Sequence, residues 1–362
     1  AVAGKPAMAG CAAAIERVTH LLDADIDANQ KVPAGFALIL HHTMSHEMAR
    51  ARPVIERIGP LLDAPELTAL NRVNWCLFIG YHHHRTGDRS AAEQALDQSD
   101  RIAAEHGLRQ SEFISHCFRS YHCTSWWDAN EGARALDGLG AAVSDATPML
   151  GAQFHNATMF VEMLRGNGPA AERHARLAVV AASLQNTPFF TVSWMSYAAG
   201  GLAMNGAFDE AEQWLDTAWA HSDNGFLVTY RPAILATRAW VAMLRGRRDV
   251  ARDHLRHMFS IGHDLQALAY LRNCPLIKDA VLAEALEARI EVPLARQLIR
   301  KFRIPAPPRD IEGWPWPVRV RTLGTFRIEV DDEPLTFGRK SPRKPIALLA
   351  ALIAFGGRHV PE

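Results

Sequence analysis

The sequence has no long apolar run. Its most continuous one, residues 346–355, is ten residues, well short of the ~18 that a membrane-spanning helix needs. No membrane span is expected. It also lacks the cysteine pattern of a disulfide-stapled fold or a zinc ribbon, because Cys11, Cys76, Cys117, Cys123 and Cys274 are odd in number, scattered and without a CxxC pair. That usage fits reduced thiols in a cytoplasm, the expected location. Residues 1–10 contain no basic start followed by an apolar stretch, so no secretory signal is read, and the chain is expected to begin inside a longer protein. Charge of one sign is missing too: 39 basic residues face 39 acidic ones, which argues against a surface that grips nucleic acid along its whole length.

Catalytic signatures are equally scarce. No Walker A sequence occurs, and Gly338-Arg-Lys-Ser341 has neither the spacing nor the preceding strand to cradle a phosphate. Gly138-Leu-Gly140 is half a dinucleotide fingerprint in an Ala-rich helical stretch with no strand before it. Histidines number 17, and His42 and His46 share a helix face at i, i+4. The metalloprotease pattern needs Glu after the first His, where Thr43 stands. His82-His83-His84 on a helix point in three directions, which suits a surface better than a shared metal. The chain is therefore expected to be non-enzymatic, with no metal and no cofactor.

What the sequence does have is a repeat. The turns at Gly87, Gly166, Gly206 and Gly246 are each followed, five residues later, by an alanine: Ala92, Ala171, Ala211 and Ala251. A degenerate copy has Ala133 and an earlier one Ala51, giving intervals of 41, 41, 38, 40 and 40 residues. The physical reading is a helical hairpin, in which the small residue lets the second helix approach the first while Leu96, Leu215 and Leu255, four residues on, bury between them. Each glycine supplies a left-handed helix stop. A lone hairpin would leave an apolar face exposed, so neighbours are expected to stack into a solenoid of about six hairpins between residues 11 and 263. This resembles tetratricopeptide-type repeats, although the period of about 40 exceeds their usual ~34. The expected fold class is all-α.

A further helical pair is read over residues 276–302, and then composition changes. Pro305, Pro307, Pro308, Pro315 and Pro317 exclude a helix. The expected organisation is a repeat domain over residues 1–303, a linker over 304–317 and a small domain over 318–362. In the last, residues 318–330 alternate as one strand with a bulge at Gly324, residues 331–334 turn, residues 335–337 pair back, and Pro345 opens a helix running to about Phe355. Residues 296–344 hold twelve basic and six acidic side chains, a net +6 inside a neutral chain.

Residues 296–362, with Trp314-Pro-Trp316-Pro, Leu323-Gly-Thr-Phe326 and Lys344-Pro-Ile-Ala-Leu-Leu349 as the telling pieces, resemble the junction in maltose-regulator-like STAND ATPase transcriptional activators of bacteria. There a helical-repeat sensor meets a carboxy-terminal winged helix of the response-regulator type, as also found in antibiotic regulatory proteins. The resemblance is specific over 296–362 and only architectural over the repeats. It implies a regulator whose ATPase precedes residue 1 and whose recognition helix follows residue 362. Arg339, Lys340, Arg343 and Lys344 would then contact DNA phosphates in the full-length protein only, or form a solvated face.

Aligning the repeats by their small alanines produces three columns on the first helices. One holds Asn74, Ser115, Gln153, Ser193 and Ala233; another Tyr81, His122, Phe160, Gly200 and Trp240; the third Arg85, Trp126, Leu164, Met204 and Leu244. If first helices line a concave groove, Asn74, Tyr81, Arg85, His122, Trp126, Gln153, Phe160, Ser193 and Trp240 are the candidate contacts for a small-molecule inducer or a protein partner. The alternatives are that the aromatic members fill gaps between hairpins, and that the array is an interaction scaffold with no small-molecule ligand. Of the consecutive pair Trp126 and Trp127, one is expected to pack and the other to reach a surface.

Overall fold

The computed structural model describes residues 11–45, 47–144, 147–184, 188–223, 225–262, 272, 274–307, 311–336 and 343–356. It is mostly helical, and the helices pack in neighbouring pairs. After α1 (Cys11–Leu21), α2 (Ala28–Met44) pairs with α3 (Met48–Ile58), α4 (Ala69–Thr86) with α5 (Arg89–Glu105), and α6 (Arg109–Ser125) with α7 (Ala129–Ala135). In the same way α8 (Pro148–Leu164) pairs with α9 (Gly168–Ser183), α10 (Pro188–Met204) with α11 (Phe208–Ala220), and α12 (Arg231–Leu244) with α13 (Arg248–Ile261). Then come α14 (Pro275–Glu287) and α15 (Val292–Phe302). Each first helix also touches the next first helix, from α2 through to α14.

The hairpins share one local design. The backbone residue after the first helix is left-handed at Gly87, Gly166, Gly206 and Gly246, with φ of 89°, 74°, 88° and 75°. The next N–H reaches back five residues, as in Asn167 N to Glu162 O at 2.9 Å and Ala207 N to Leu202 O at 3.1 Å. This doubly bonded helix stop satisfies carbonyls that would otherwise be orphaned. Asp88, Asp128 and Asn167 then accept from the backbone N–H three residues on, capping α5, α7 and α9.

Four residues after each N-cap comes the small residue: Ala51, Ala92, Ala171, Ala211 and Ala251 are all fully buried. In the third pair that place belongs to Gly132, four after the N-cap Asp128 and buried, whereas Ala133 is only half-buried. The register anchored on Ala133 is therefore off by one residue. Corrected, the flanking intervals become 40 and 39, and Leu136, four residues after Gly132, is buried as Leu96 and Leu215 are. A Cβ on Gly132 would come within 2.9 Å of Thr124 Cγ2 and 3.3 Å of Val161 Cγ2, which is why this copy carries glycine where the others carry alanine.

The chain divides into two compact units, residues 1–295 and 296–362. In the second, β1 (Val318–Arg321), β2 (Arg327–Val330) and β3 (Glu333–Pro334) form an antiparallel sheet in the order β1-β2-β3. The expected single strand is broken: Gly324, at φ 80°, reverses the chain so that Val318 pairs with Val330 and Arg321 with Arg327. Gly324 serves a five-residue hairpin loop and is not a bulge. Asp331 and Asp332, both at positive φ, turn β2 into β3, which lies at 333–334; of the expected partner strand over 335–337, residues 335 and 336 are outside β3 and 337 lies outside the described residues. α16 (Arg343–Ala354) begins two residues before Pro345. Ile304, Ile311 and Trp314 are buried, so the proline-rich stretch packs hydrophobic side chains. Arg296, Arg300 and Arg319 converge on Asp332, and Arg319 and Arg321 on Glu329, so four of the twelve basic side chains of residues 296–344 are engaged with acidic ones inside the unit.

No helix among the described residues is long and apolar enough to cross a membrane. Cys76, Cys117, Cys123 and Cys274 are free thiols.

Candidate functional site

The first helices of successive pairs line a half-open cavity of about 310 Å³ in the first unit, at the lower end of the ~300–1,000 Å³ typical of ligand pockets. Each helix presents a stripe at helical spacing. α4 supplies Asn74, Leu77, Phe78, Tyr81 and His84; α6 supplies Ile114, Phe118 and Tyr121; α8 supplies Met149, Gln153, Asn156 and Phe160. From α10 come Phe189, Ser193, Trp194 and Tyr197, with Leu40 and Met44 of α2 and Tyr230, just before α12, completing the wall. These stripes exist because positions three, four and seven residues apart share one helix face.

The wall is aromatic and continuous. Ring centroids are 5.3 Å apart for Tyr81 and Phe118, 6.1 Å for Phe118 and Tyr121, 6.0 Å for Tyr121 and Phe160, and 5.8 Å for Phe160 and Tyr197. The last two pairs are edge-on and the first two tilted, the geometries in which ring quadrupoles attract. Polar groups are few and set into this wall. The Tyr121 hydroxyl lies 2.9 Å from both the backbone O and Oε1 of Gln153, to one of which it donates, and it accepts from Asn156 Nδ2 at 3.2 Å. Burial pushes the Tyr121 pKa up, so the phenol stays protonated.

Of the nine candidate contacts, the structure brings Asn74, Tyr81, Gln153, Phe160 and Ser193 together round this cavity. The other four lie outside its lining. Arg85 is buried in the last turn of α4. His122 is buried with Nδ1 3.4 Å from His84 Nδ1 and Nε2 3.6 Å from a Glu93 carboxylate oxygen. Burial lowers its pKa to about 4, so it is neutral at pH 7. Trp126 is half-buried, with the guanidinium carbons of Arg89 and Arg272 at 5.5 and 5.3 Å from its ring centre. Trp240 is buried in α12 against Gly200.

The one-residue register shift accounts for part of this. Corrected by Gly132, the column positions on α6 become Ile114 and Tyr121 in place of Ser115 and His122, and both line the cavity. The sequence does hold that signal, in Leu136 following Gly132 by four. Phe78, Phe118, Asn156 and Tyr197, one turn along from the chosen columns, went unmarked although they sit on the same faces.

Trp127, with φ 64°, holds the place that Gly87, Gly166, Gly206 and Gly246 hold in four of the other turns. Its side chain explains the exception: Nε1 donates to Asp279 Oδ2 at 2.7 Å, and Lys278 Nζ lies 4.2 Å from its ring centre. Trp126 and Trp127 are both half-buried, so they do not divide into one packed and one surface residue as expected.

The histidines also differ from expectation. His82 and His84 are buried, because α4 is covered by α2, α5 and α6, and His82 Nδ1 bonds Thr43 Oγ1 at 2.8 Å. His41, His42 and Glu47 are the group of three metal-ligand types whose ligand atoms converge within 4.8 Å among the described residues. Glu47 there already bonds His42 at 3.0 Å and pairs with Arg50 at 3.3 Å. His46 lies outside the described residues, as do Arg339 and Lys340; Arg343 and Lys344 open α16, and Lys344 is exposed.

No protein-family model matches the chain, and no curated protein matches it.

Proposed function

We propose that the first unit is the effector-sensing region of a bacterial transcriptional activator, a tetratricopeptide-like solenoid joined to the leading strands and first helix of a winged-helix domain. The cavity is the observation that carries the sensing half of this reading. A half-open, largely apolar recess with polar groups set into its wall is the kind of space that small-molecule sites use. The regulatory half rests on the resemblance of residues 296–362, where Arg339, Lys340, Arg343 and Lys344 would touch DNA phosphates in the full-length chain.

The mechanism follows from who lines the cavity. A ligand there touches α2, α4, α6, α8 and α10 at once, so it ties together the first helices of five successive pairs. Binding stabilises the arrangement in which those helices converge and draws population from arrangements in which they part. At a hundredfold excess over Kd, such a ligand stabilises the fold by ~2.7 kcal/mol.

The test is a thermal-shift and calorimetry screen of fractionated metabolite pools, run beside a pull-down from lysate. A fraction that raises the melting temperature and binds one to one supports the sensor, provided that Phe160→Ala weakens it. A chain that captures one protein partner stoichiometrically while no metabolite fraction shifts it is a scaffold.

A further inference from the structure

From the cavity wall we infer that the effector is an uncharged, largely aromatic molecule carrying at least one hydrogen-bonding group, which Asn74 and Gln153 read. This inference rests on the sensor reading above and adds the chemical class of the ligand.

Three features of the wall point the same way. First, among the described residues no Asp, Glu, Lys or Arg lines the cavity. An ionic group placed there would leave water without a counter-charge, and such transfer is strongly unfavourable. His84, itself part of the wall, packs edge-on against His122 at 5.6 Å, and His122 is held neutral by burial. Second, the rings of Tyr81, Phe118, Tyr121, Phe160 and Tyr197 form an unbroken series of neighbours. A flat π-face entering this series finds ring edges and faces on several sides, the pairings that aromatic groups favour.

Third, some of the polar groups set into the wall are incompletely used. Among the described residues, the Asn74 side-chain amide and the Tyr81 hydroxyl have no hydrogen-bond partner, and Gln153 uses Oε1 for Tyr121 while its Nε2 has none. Asn74 and Gln153 are both half-buried wall residues. These groups can serve one or two polar atoms of a ligand. A sugar, with hydroxyls round its whole perimeter, would leave most of them against hydrocarbon, each unpaired.

The experiment uses a fluorescent pair with a common skeleton. N-phenyl-1-naphthylamine is neutral, and 8-anilino-1-naphthalenesulfonate is the same skeleton with a sulfonate. The neutral probe is expected to bind saturably and the sulfonate at least about tenfold more weakly. Asn74→Trp, which fills the cavity from a half-buried position without breaking an internal hydrogen bond, should abolish the neutral probe's signal at an unchanged melting temperature; Gln153→Trp is the second filling variant. In competition, 2-naphthol should displace the probe about tenfold better than naphthalene, an advantage lost in Asn74→Leu/Gln153→Leu, and cellobiose should not displace it. Should the sulfonate bind equally well at the site that Asn74→Trp closes, or cellobiose or naphthalene match 2-naphthol, the ligand class is wrong while the sensor cavity stands. Should neither probe bind saturably, or both filling variants fold and leave binding unchanged, the sensor reading itself fails.

Discussion

At the scale of single residues, the left-handed position of the hairpin turn shows two ways of meeting one constraint. Gly206 has φ 88° and open space where a Cβ would go, so only backbone strain opposes a side chain. Gly206→Ala is expected to cost ~1–2 kcal/mol for that reason alone. Trp127 accepts the same strain, offset by its bond to Asp279, whose carboxyl pKa burial raises to about 6. Trp127→Gly relieves the backbone yet leaves that carboxylate without its donor. It is expected to be net destabilising, and a double-mutant cycle with Asp279→Ala should show coupling of ~1 kcal/mol or more. Urea midpoints of the four chains measure both effects; a stabilised Trp127→Gly chain would mean that the indole contact contributes nothing.

At the scale of elements, the small residue four places into each second helix sets how closely two helices approach. Where that residue is alanine, its Cβ is accommodated; at Gly132 even a methyl meets Thr124 and Val161. Gly132→Val is expected to destabilise by ~1–3 kcal/mol through overpacking, whereas Ala133→Val, half-buried one residue on, should cost less than half as much. Chemical denaturation of the two variants tests the corrected register directly. The repeat itself was legible from sequence because turn glycine, cap and small residue are tied by fixed local spacing. Its third copy was misread because Trp127 replaced the glycine and Gly132 the alanine, so the alanine nearest the expected spacing was Ala133. The second unit was misread for a related reason: Gly324 within an alternating run fits a bulge or a turn, and only pairing partners, Val318 with Val330, separate the two.

At the scale of the whole molecule, histidines withdrawn from solvent are expected to make the fold acid-sensitive. Burial lowers the pKa values of His82, His122 and His155 to about 4 from an ordinary 6.5. A histidine with a depressed folded-state pKa takes up its proton more readily when unfolded, so its contribution is full above pH 6.5 and is lost as pH falls toward 4. The melting temperature is expected to drop steeply between pH 6.5 and 4, and His82→Gln, which keeps a partner for Thr43, should flatten part of that slope. A melting temperature level across this window would show that these imidazoles are not held neutral by the fold.

The sequence by itself determined the helices, their pairing and the places where they stop, since glycine conformations, side-chain caps and small residues act over four or five positions. It also marked the helix faces that matter: Asn74, Tyr81, Gln153, Phe160 and Ser193 reach one cavity. Which neighbours on those faces look inward, Tyr121 and not His122, Asn156 beside Gln153, was decided by tertiary structure. A one-residue change of register rotates a helix by about 100°, and the angle at which one helix meets the next is set by packing of side chains far apart in sequence. The same packing decided that Asn156 Nδ2 found a partner in the Tyr121 hydroxyl while the Asn74 amide, among the described residues, did not.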